Sequence, residues 1–159
     1  MNYIGEHLWA AELGRGLTAF SFAFALLSAI AYYQKGKQWK TLGRLAFRIH
    51  ATTLFGLIGT LFFIMANHYF EFDYVWKHTS LDLEPRYLFS AFWEGQEGSF
   101  LLWMFWNAVL GWILTYSAKS FEGPVVGVFA AVQAFLVSMI LGVYIGDLHI
   151  GYSAFILVR

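Results

Sequence analysis

The chain has 159 residues, of which 59% are hydrophobic, 21% aromatic and only 13% charged, against about 25% charged in an ordinary soluble domain. These figures exclude a disordered or low-complexity chain, and a formal net charge of zero gives no footing for a polyanionic partner such as nucleic acid. With no cysteine there is no disulfide, no thiolate nucleophile and no Cys-ligated metal on this chain.

So much apolar surface behind so few charges points to lipid as the solvent, and the test is uninterrupted uncharged length. Crossing a bilayer takes about 20 apolar residues. Uncharged runs of 19, 22, 21 and 24 residues occupy 16–34, 49–70, 98–118 and 123–146. The expected fold is therefore all-α: an integral membrane bundle of four transmembrane helices with a long aromatic outer loop, 71–97. A last apolar piece, 148–158, is too short to span. Glu6 and Glu12 precede Arg15, so the start lacks the basic flank of a cleavable signal peptide, and the first helix is expected to stay in the membrane.

Loop charges predict orientation. The first connection holds Lys35, Lys37, Lys40, Arg44 and Arg48 with no acid, whereas 71–97 holds six acids against Lys77 and Arg86. Lys/Arg excess marks the cytoplasmic side. The first connection is thus predicted inside, and the second loop and both termini outside, which in a bacterium is the periplasm. Rows of small residues at four-residue spacing (Ser21, Ala25 and Ala29; Thr52, Gly56 and Thr60; Gly123 and Gly127; Gly142 and Gly146) are expected to be close-packing faces.

Three groups could carry chemistry. His50 and His68 stand near opposite ends of the predicted second span, roughly 27 Å apart at 1.5 Å per residue, too far to share one haem iron. Interfacial anchoring is their plainer role, and His7, His78 and His149 are all expected on the outer side. No HxxxH or HExxH spacing is present, which argues against a zinc site. Glu94 and Glu97 could act as an acid–base pair, or as acids complementing the dipole of the third helix, with Ser99 as a cap. The loop itself holds Tyr74, Trp76, Tyr87, Phe89, Phe92 and Trp93 among other aromatics. Two readings stay open for it: an interfacial belt, or a platform for a flat apolar ligand or another part of an assembly. The alternating Phe70–Trp76 stretch is expected to form a short half-buried strand. No charged residue is expected in the middle of a predicted helix, which argues against a proton pump or ion-coupled transporter.

The segment Trp93-Glu94-Gly95-Gln96-Glu97-Gly98-Ser99-Phe100-Leu101-Leu102-Trp103 resembles the W-x-G-[QH]-E-G-S-x-L-L-W stretch of the CcmF/CcsA-type cytochrome c assembly proteins, the haem lyases. The preceding Asn67-His68-Tyr69-Phe70, Phe72-Asp73-Tyr74-Val75, Thr79-Ser80, Pro85 and Tyr87 follow the same family's loop. The resemblance covers about residues 1–150, as the amino-terminal portion of such a protein. It implies cytochrome c biogenesis: a membrane scaffold part of the enzyme that attaches haem to apocytochrome c on the outer face of the bacterial cytoplasmic (inner) membrane. Haem is the implied cofactor, held mainly by parts outside this chain. Membrane lipid, the remainder of the haem lyase or a split-gene partner, a haem delivery protein and apocytochrome c are the implied partners. The family's Trp-rich outer segment and histidine ligands have no counterpart here, so no haem ligand and no catalytic residue is carried over, and the chain is expected to be a fragment of a longer protein, inactive alone. Glu94 replaces a usually small residue. The motif residues singled out are Trp93, Gly95, Glu97, Gly98, Ser99 and Trp103: the glycines for a tight approach of loop to helix, Glu97 and Ser99 as caps, the tryptophans as interfacial anchors. Two alternatives come from other classes. One is a membrane anchor subunit of a redox complex that binds haem b through His50 or His68, although the other three spans hold no histidine. The other is an inert structural bundle whose loop meets only lipid.

Overall fold

The computed structural model describes residues 7–145 and 148–158, with the side chains of 143–150 left aside. The chain runs α1 (Leu8–Tyr33), α2 (Lys37–Ala66), α3 (Asp73–His78), α4 (Leu88–Glu94), α5 (Gln96–Ser117), α6 (Glu122–Ser138), then the short strands β1 (Val143–Ile145) and β2 (Leu148–Ile150). Single 3-10 turns, Pro85–Tyr87 and Lys119–Phe121, lead into α4 and α6. Four helices, α1, α2, α5 and α6 with its leading turn, are long and apolar enough to cross a membrane. The all-α membrane bundle expected from composition is the fold observed.

The four long helices pack as a ring, α1 against α2 and α6, and α5 against α2 and α6. α1 buries only small side chains, Ala10, Ala11, Gly14, Thr18, Ser21, Ala25, Ser28 and Ala31, so α2 approaches closely and fills the interior with Phe47, Leu54, Leu57, Leu61, Ile64 and Met65. The Ser28 hydroxyl donates to the Gly43 carbonyl at 2.9 Å and pins the two helices at that level. Of the predicted small-residue rows, Ser21 and Ala25 lie in the core, and the Cβ that Gly127 lacks would meet Tyr32 at 3.2 Å. Thr52 and Gly56 are exposed instead and only Thr60 is buried, because a row taken every fourth residue drifts around the helix.

Helix limits differ from the uncharged runs for physical reasons. α2 starts at Lys37, inside the basic stretch, after a three-residue turn in which Gly36 takes φ 124°. Long Lys and Arg stems let a helix carry charge to its end while the heads reach polar ground. His50 is therefore near the middle of α2 rather than at an interface. α6 ends at Ser138, well short of 146. Beyond it the β-branched residues form the hairpin, with Val143 opposite Ile150 and Ile145 opposite Leu148, flanked by Gly142 (φ 62°) and Gly151 (φ 71°), both left-handed. The Gly142 end of that glycine pair is thus a turn and not a helix face; Gly146 lies outside the described residues.

At the other limit of α2 the chain turns by a Schellman motif: the Tyr69 amide donates to Ile64 O at 3.0 Å and the His68 amide to Met65 O at 3.2 Å. His68 is its left-handed residue (φ 54°), and Tyr69 packs edge-on against Phe63. The strand expected at 70–76 shrinks to a single bridge, Phe72 with Leu157, after which the chain is helical as α3. Both described ends gather at this loop end. The His7 amide donates to Glu71 Oε1 at 3.2 Å, and the Val158 amide to Glu71 O at 2.7 Å.

Candidate functional site

The motif segment forms the corner where α4 meets α5. α3 lies across it and buries Tyr74, whose hydroxyl donates to Phe92 O at 2.6 Å. The phenol ring sits directly over Gly95 and Gly98. A Cβ on Gly95 would run into that ring, and one on Gly98 would run into both the Tyr74 hydroxyl and the Phe92 carbonyl. Close approach is therefore why both positions are glycine. Burial, and then the nearby negative Glu97, hold the Tyr74 hydroxyl protonated well above its usual range.

The expected caps take another form. Gly95 is the N-cap of α5 and no side chain caps it; Glu97 lies in the first turn, where its charge suits the helix dipole. Ser99 reaches backward, its hydroxyl donating to Trp93 O at 2.9 Å, and so ties the end of α4 to the start of α5. Trp93 and Trp103 diverge from this corner to the outside of the bundle, 53% and 60% exposed. The six motif residues thus divide into a packed knot and two outward rings. Glu94 is exposed at the end of α4, and among the described residues no cluster of three metal-ligating side chains forms.

Sequence reasoning missed the other wall of this corner. Gln96, Glu97 and Phe100 border a cavity of about 290 Å³ whose far side is Met139, Gly151 and Tyr152. The Tyr152 hydroxyl donates to Asp73 Oδ2 at 3.1 Å, and the same oxygen accepts from Lys77 Nζ at 2.7 Å. That carboxylate raises the Lys77 pKa; burial first, and then Asp73, raise that of Tyr152. Nothing in the sequence links positions 73 and 152, since the contact depends on the hairpin folding back. On the opposite flank Ile58, Phe62, Phe89, Phe92, Leu102 and Phe105 line a wholly apolar hollow of about 220 Å³, with Phe62 and Phe92 stacked at 4.5 Å.

Among the described residues the histidines considered as haem ligands each have contacts of their own. His50 is fully buried in the bundle, its Nδ1 2.9 Å from Ser21 O. His7 Nδ1 is 2.6 Å from Glu71 Oε1, its ring stacked on Tyr69 at 3.7 Å. His78 Nδ1 lies 2.9 Å from Tyr74 O, and its ring stacks on Tyr74. His68 makes the turn through its backbone, and its ring lies 5.7 Å from that of Phe70. The His149 side chain lies outside the described residues.

At the other end of the bundle one carboxylate ties three helices together, α6 to α1 and α2. Glu122, buried at the start of α6, accepts from Arg44 Nε at 2.8 Å and Nη2 at 2.6 Å, and from the Tyr32 hydroxyl at 3.0 Å, with Lys40 Nζ at 3.1 Å. Arg48 lies over the Tyr116 ring, and its Nη2 donates to Thr115 at 3.3 Å. Three of the five basic residues of that stretch, Lys40, Arg44 and Arg48, thus make contacts within the chain.

A ring of four long apolar helices with an ordered aromatic layer across one end defines a polytopic membrane protein. Among solved structures the chain is similar to one described as Cytochrome c Heme Lyase CcmF, at 18% identity and a TM-score of 0.78, over 97% of this chain and 26% of that one. The chain has the CcmF-type fold, and it spans about a quarter of the length of the protein it matches. No family model matches it, and no curated protein matches it in sequence.

Proposed function

We propose that the chain is a membrane scaffold module of cytochrome c biogenesis, the part of a haem lyase that supports haem attachment to apocytochrome c on the outer face of a bacterial inner membrane. The observation that carries this reading is the match of nearly the whole chain to a CcmF-type fold, joined by the motif at the α4–α5 corner. In this reading the loop end faces the periplasm, with both termini beside it, and the basic end faces the cytoplasm. The chain's own residues supply shape rather than chemistry. Tyr74, Gly95 and Gly98 lock α3 onto the corner. Glu97 sets the charge of that corner, and Ser99 fixes its angle. Trp93 and Trp103 stand at the interface, where indole rings prefer to lie. Haem and its ligands belong to the remaining three-quarters of the assembly, supplied by a partner subunit or a further segment, and a haem delivery protein and the apocytochrome meet the module at the loop end.

Deleting the gene in its host and staining membranes for covalently bound haem tests the role. We expect c-type cytochromes to disappear and to return when the chain is supplied in trans. Unchanged staining in the deletion strain overturns the reading. Full maturation with Glu97→Ala would remove Glu97 from it while leaving the rest in place.

A further inference from the structure

The cavity of about 290 Å³ at the corner lies where α5 begins and α6 ends, the level at which apolar spans give way to polar chain. Its lining is divided. Gln96, Glu97 and Tyr152 bring polar groups to it, while Phe100, one turn further along α5, and Met139 bring apolar ones. Exposed apolar side chains continue from these two residues along the spans. Phe100 leads to Trp103, whose ring stands edge-on to it at 6.1 Å. Met139 leads to Phe135 and Val132, exposed like it and on the same face at helical spacing. At that depth the solvent for such side chains is the acyl chain of a lipid. A polar mouth above two apolar strips fits an amphiphile with two chains better than it fits a soluble molecule.

The polar side has a definite charge pattern. Glu97 is half-buried, and among the described residues no cation comes within ion-pair distance of it. Its charge acts on both Lys77 and Tyr152, which sets the three around one mouth. Lys77 and the Tyr152 hydroxyl donate to the same Asp73 oxygen. Lys77 uses one of its three N–H donors there and is 57% exposed, so donors remain for an incoming anion. Lys77 and Asp73 cancel, and Glu97 leaves the mouth with one negative charge in excess. Charges withdrawn from water are normally paired. The occupant therefore has to bring a cation with N–H donors for the Glu97 carboxylate and the Gln96 side-chain oxygen. A primary ammonium has three such donors and a choline group has none.

We propose that this cavity is a headgroup site for phosphatidylethanolamine from the surrounding leaflet. The ammonium donates to Glu97 and Gln96, the phosphate accepts from Lys77, and the acyl chains follow the strips below Phe100 and Met139.

Native mass spectrometry of the full chain in detergent tests this, with lipids of identical acyl chains added one at a time. We expect one phosphatidylethanolamine to bind at least about tenfold more tightly than phosphatidylcholine, the ratio that a hydrogen bond to a charged group supplies. The monomethyl and dimethyl derivatives of phosphatidylethanolamine should fall between them, in order of their remaining N–H donors. Phosphatidylglycerol, an anion, should bind no better than phosphatidylcholine. In Glu97→Gln the preference for phosphatidylethanolamine should vanish. Equal binding along the methyl series, phosphatidylglycerol held as tightly as phosphatidylethanolamine, or a preference that survives Glu97→Gln would each overturn the site. The methyl series is read on the native chain, so it decides the matter if Glu97→Gln fails to fold.

Discussion

The two ends of the bundle are held by opposite strategies. At the basic end one buried carboxylate collects Arg44, Lys40 and Tyr32 from α2 and α1. At the loop end the contacts are many and individually small: the Schellman turn, the Phe72–Leu157 bridge, the backbone bonds from Val158 and Asp73, and the Tyr74 knot. The first arrangement concentrates its energy in one group, so a single change should be felt strongly. The second spreads it, so only a change that alters shape should matter. The end with the dispersed contacts is also the one that carries the motif.

The largest effect should come from splitting the buried pair. In Arg44→Ala, Glu122 stays buried with Lys40 and Tyr32 as its remaining partners. Removing one member of a fully buried pair costs about 3–5 kcal/mol; Arg44 is 36% exposed and Glu122 keeps two partners, so the loss here should fall at or below the lower bound of that range. Unfolding in mixed detergent reads it. Replacing Arg44 and Glu122 together by leucine should restore most of that stability, because an apolar pair of similar volume replaces a buried ion pair at little net cost. If the double variant is less stable than Arg44→Ala, charge pairing is not what holds this end.

Gly98→Ala is the matching test at the loop end, and its effect should be intermediate. The added methyl meets a main-chain carbonyl and the Tyr74 hydroxyl, neither of which is the loose tip of a flexible side chain. Overpacking of this kind costs about 1–3 kcal/mol. Because the strain is local, protection of the α3 and α4 amides against hydrogen exchange should fall while the middle of α2 stays protected. Equal loss at both places would mean that the ends are not independent.

The four spans and the motif were legible because each is a local property: an uncharged run in one case, a contiguous string in the other. What escaped the sequence was set by contacts across the chain. Glu122 reads as the last charge before an apolar run, and only the fold brings Arg44, 78 positions away, against it. Asp73 and Tyr152 meet only because the hairpin returns to the corner. His50 followed a basic stretch and so looked interfacial, yet the helix starts a full three turns earlier than the uncharged run. Gly95 and Gly98 were recognised as a tight approach, but the group approaching them, Tyr74, looked like one more aromatic in an aromatic loop. The expected strand gave way to α3 because a single turn of helix brings Tyr74 and Val75 inward together, whereas the alternation of a strand would have turned one of them out.

The smallest effect, and the most specific, should be found at Tyr74. In Tyr74→Phe the ring still covers both glycines, and only the hydroxyl's bond to Phe92 O is lost, a change of about 1 kcal/mol near neutral pH. The two chains should diverge in their response to alkali. The Tyr74 pKa is raised in the folded state above the ordinary value of about 10, so the unfolded chain releases this proton first. The stability it contributes is complete below the unfolded value and is lost as pH rises through the folded one. The native chain should therefore weaken from about pH 10 upward, and Tyr74→Phe should weaken less steeply over the same range. Tyr152 and the other tyrosines are present in both chains, so the difference between the two curves isolates Tyr74. Parallel curves would mean that the phenol ionises as easily in the fold as outside it, and that the corner is open to water rather than closed over the glycines.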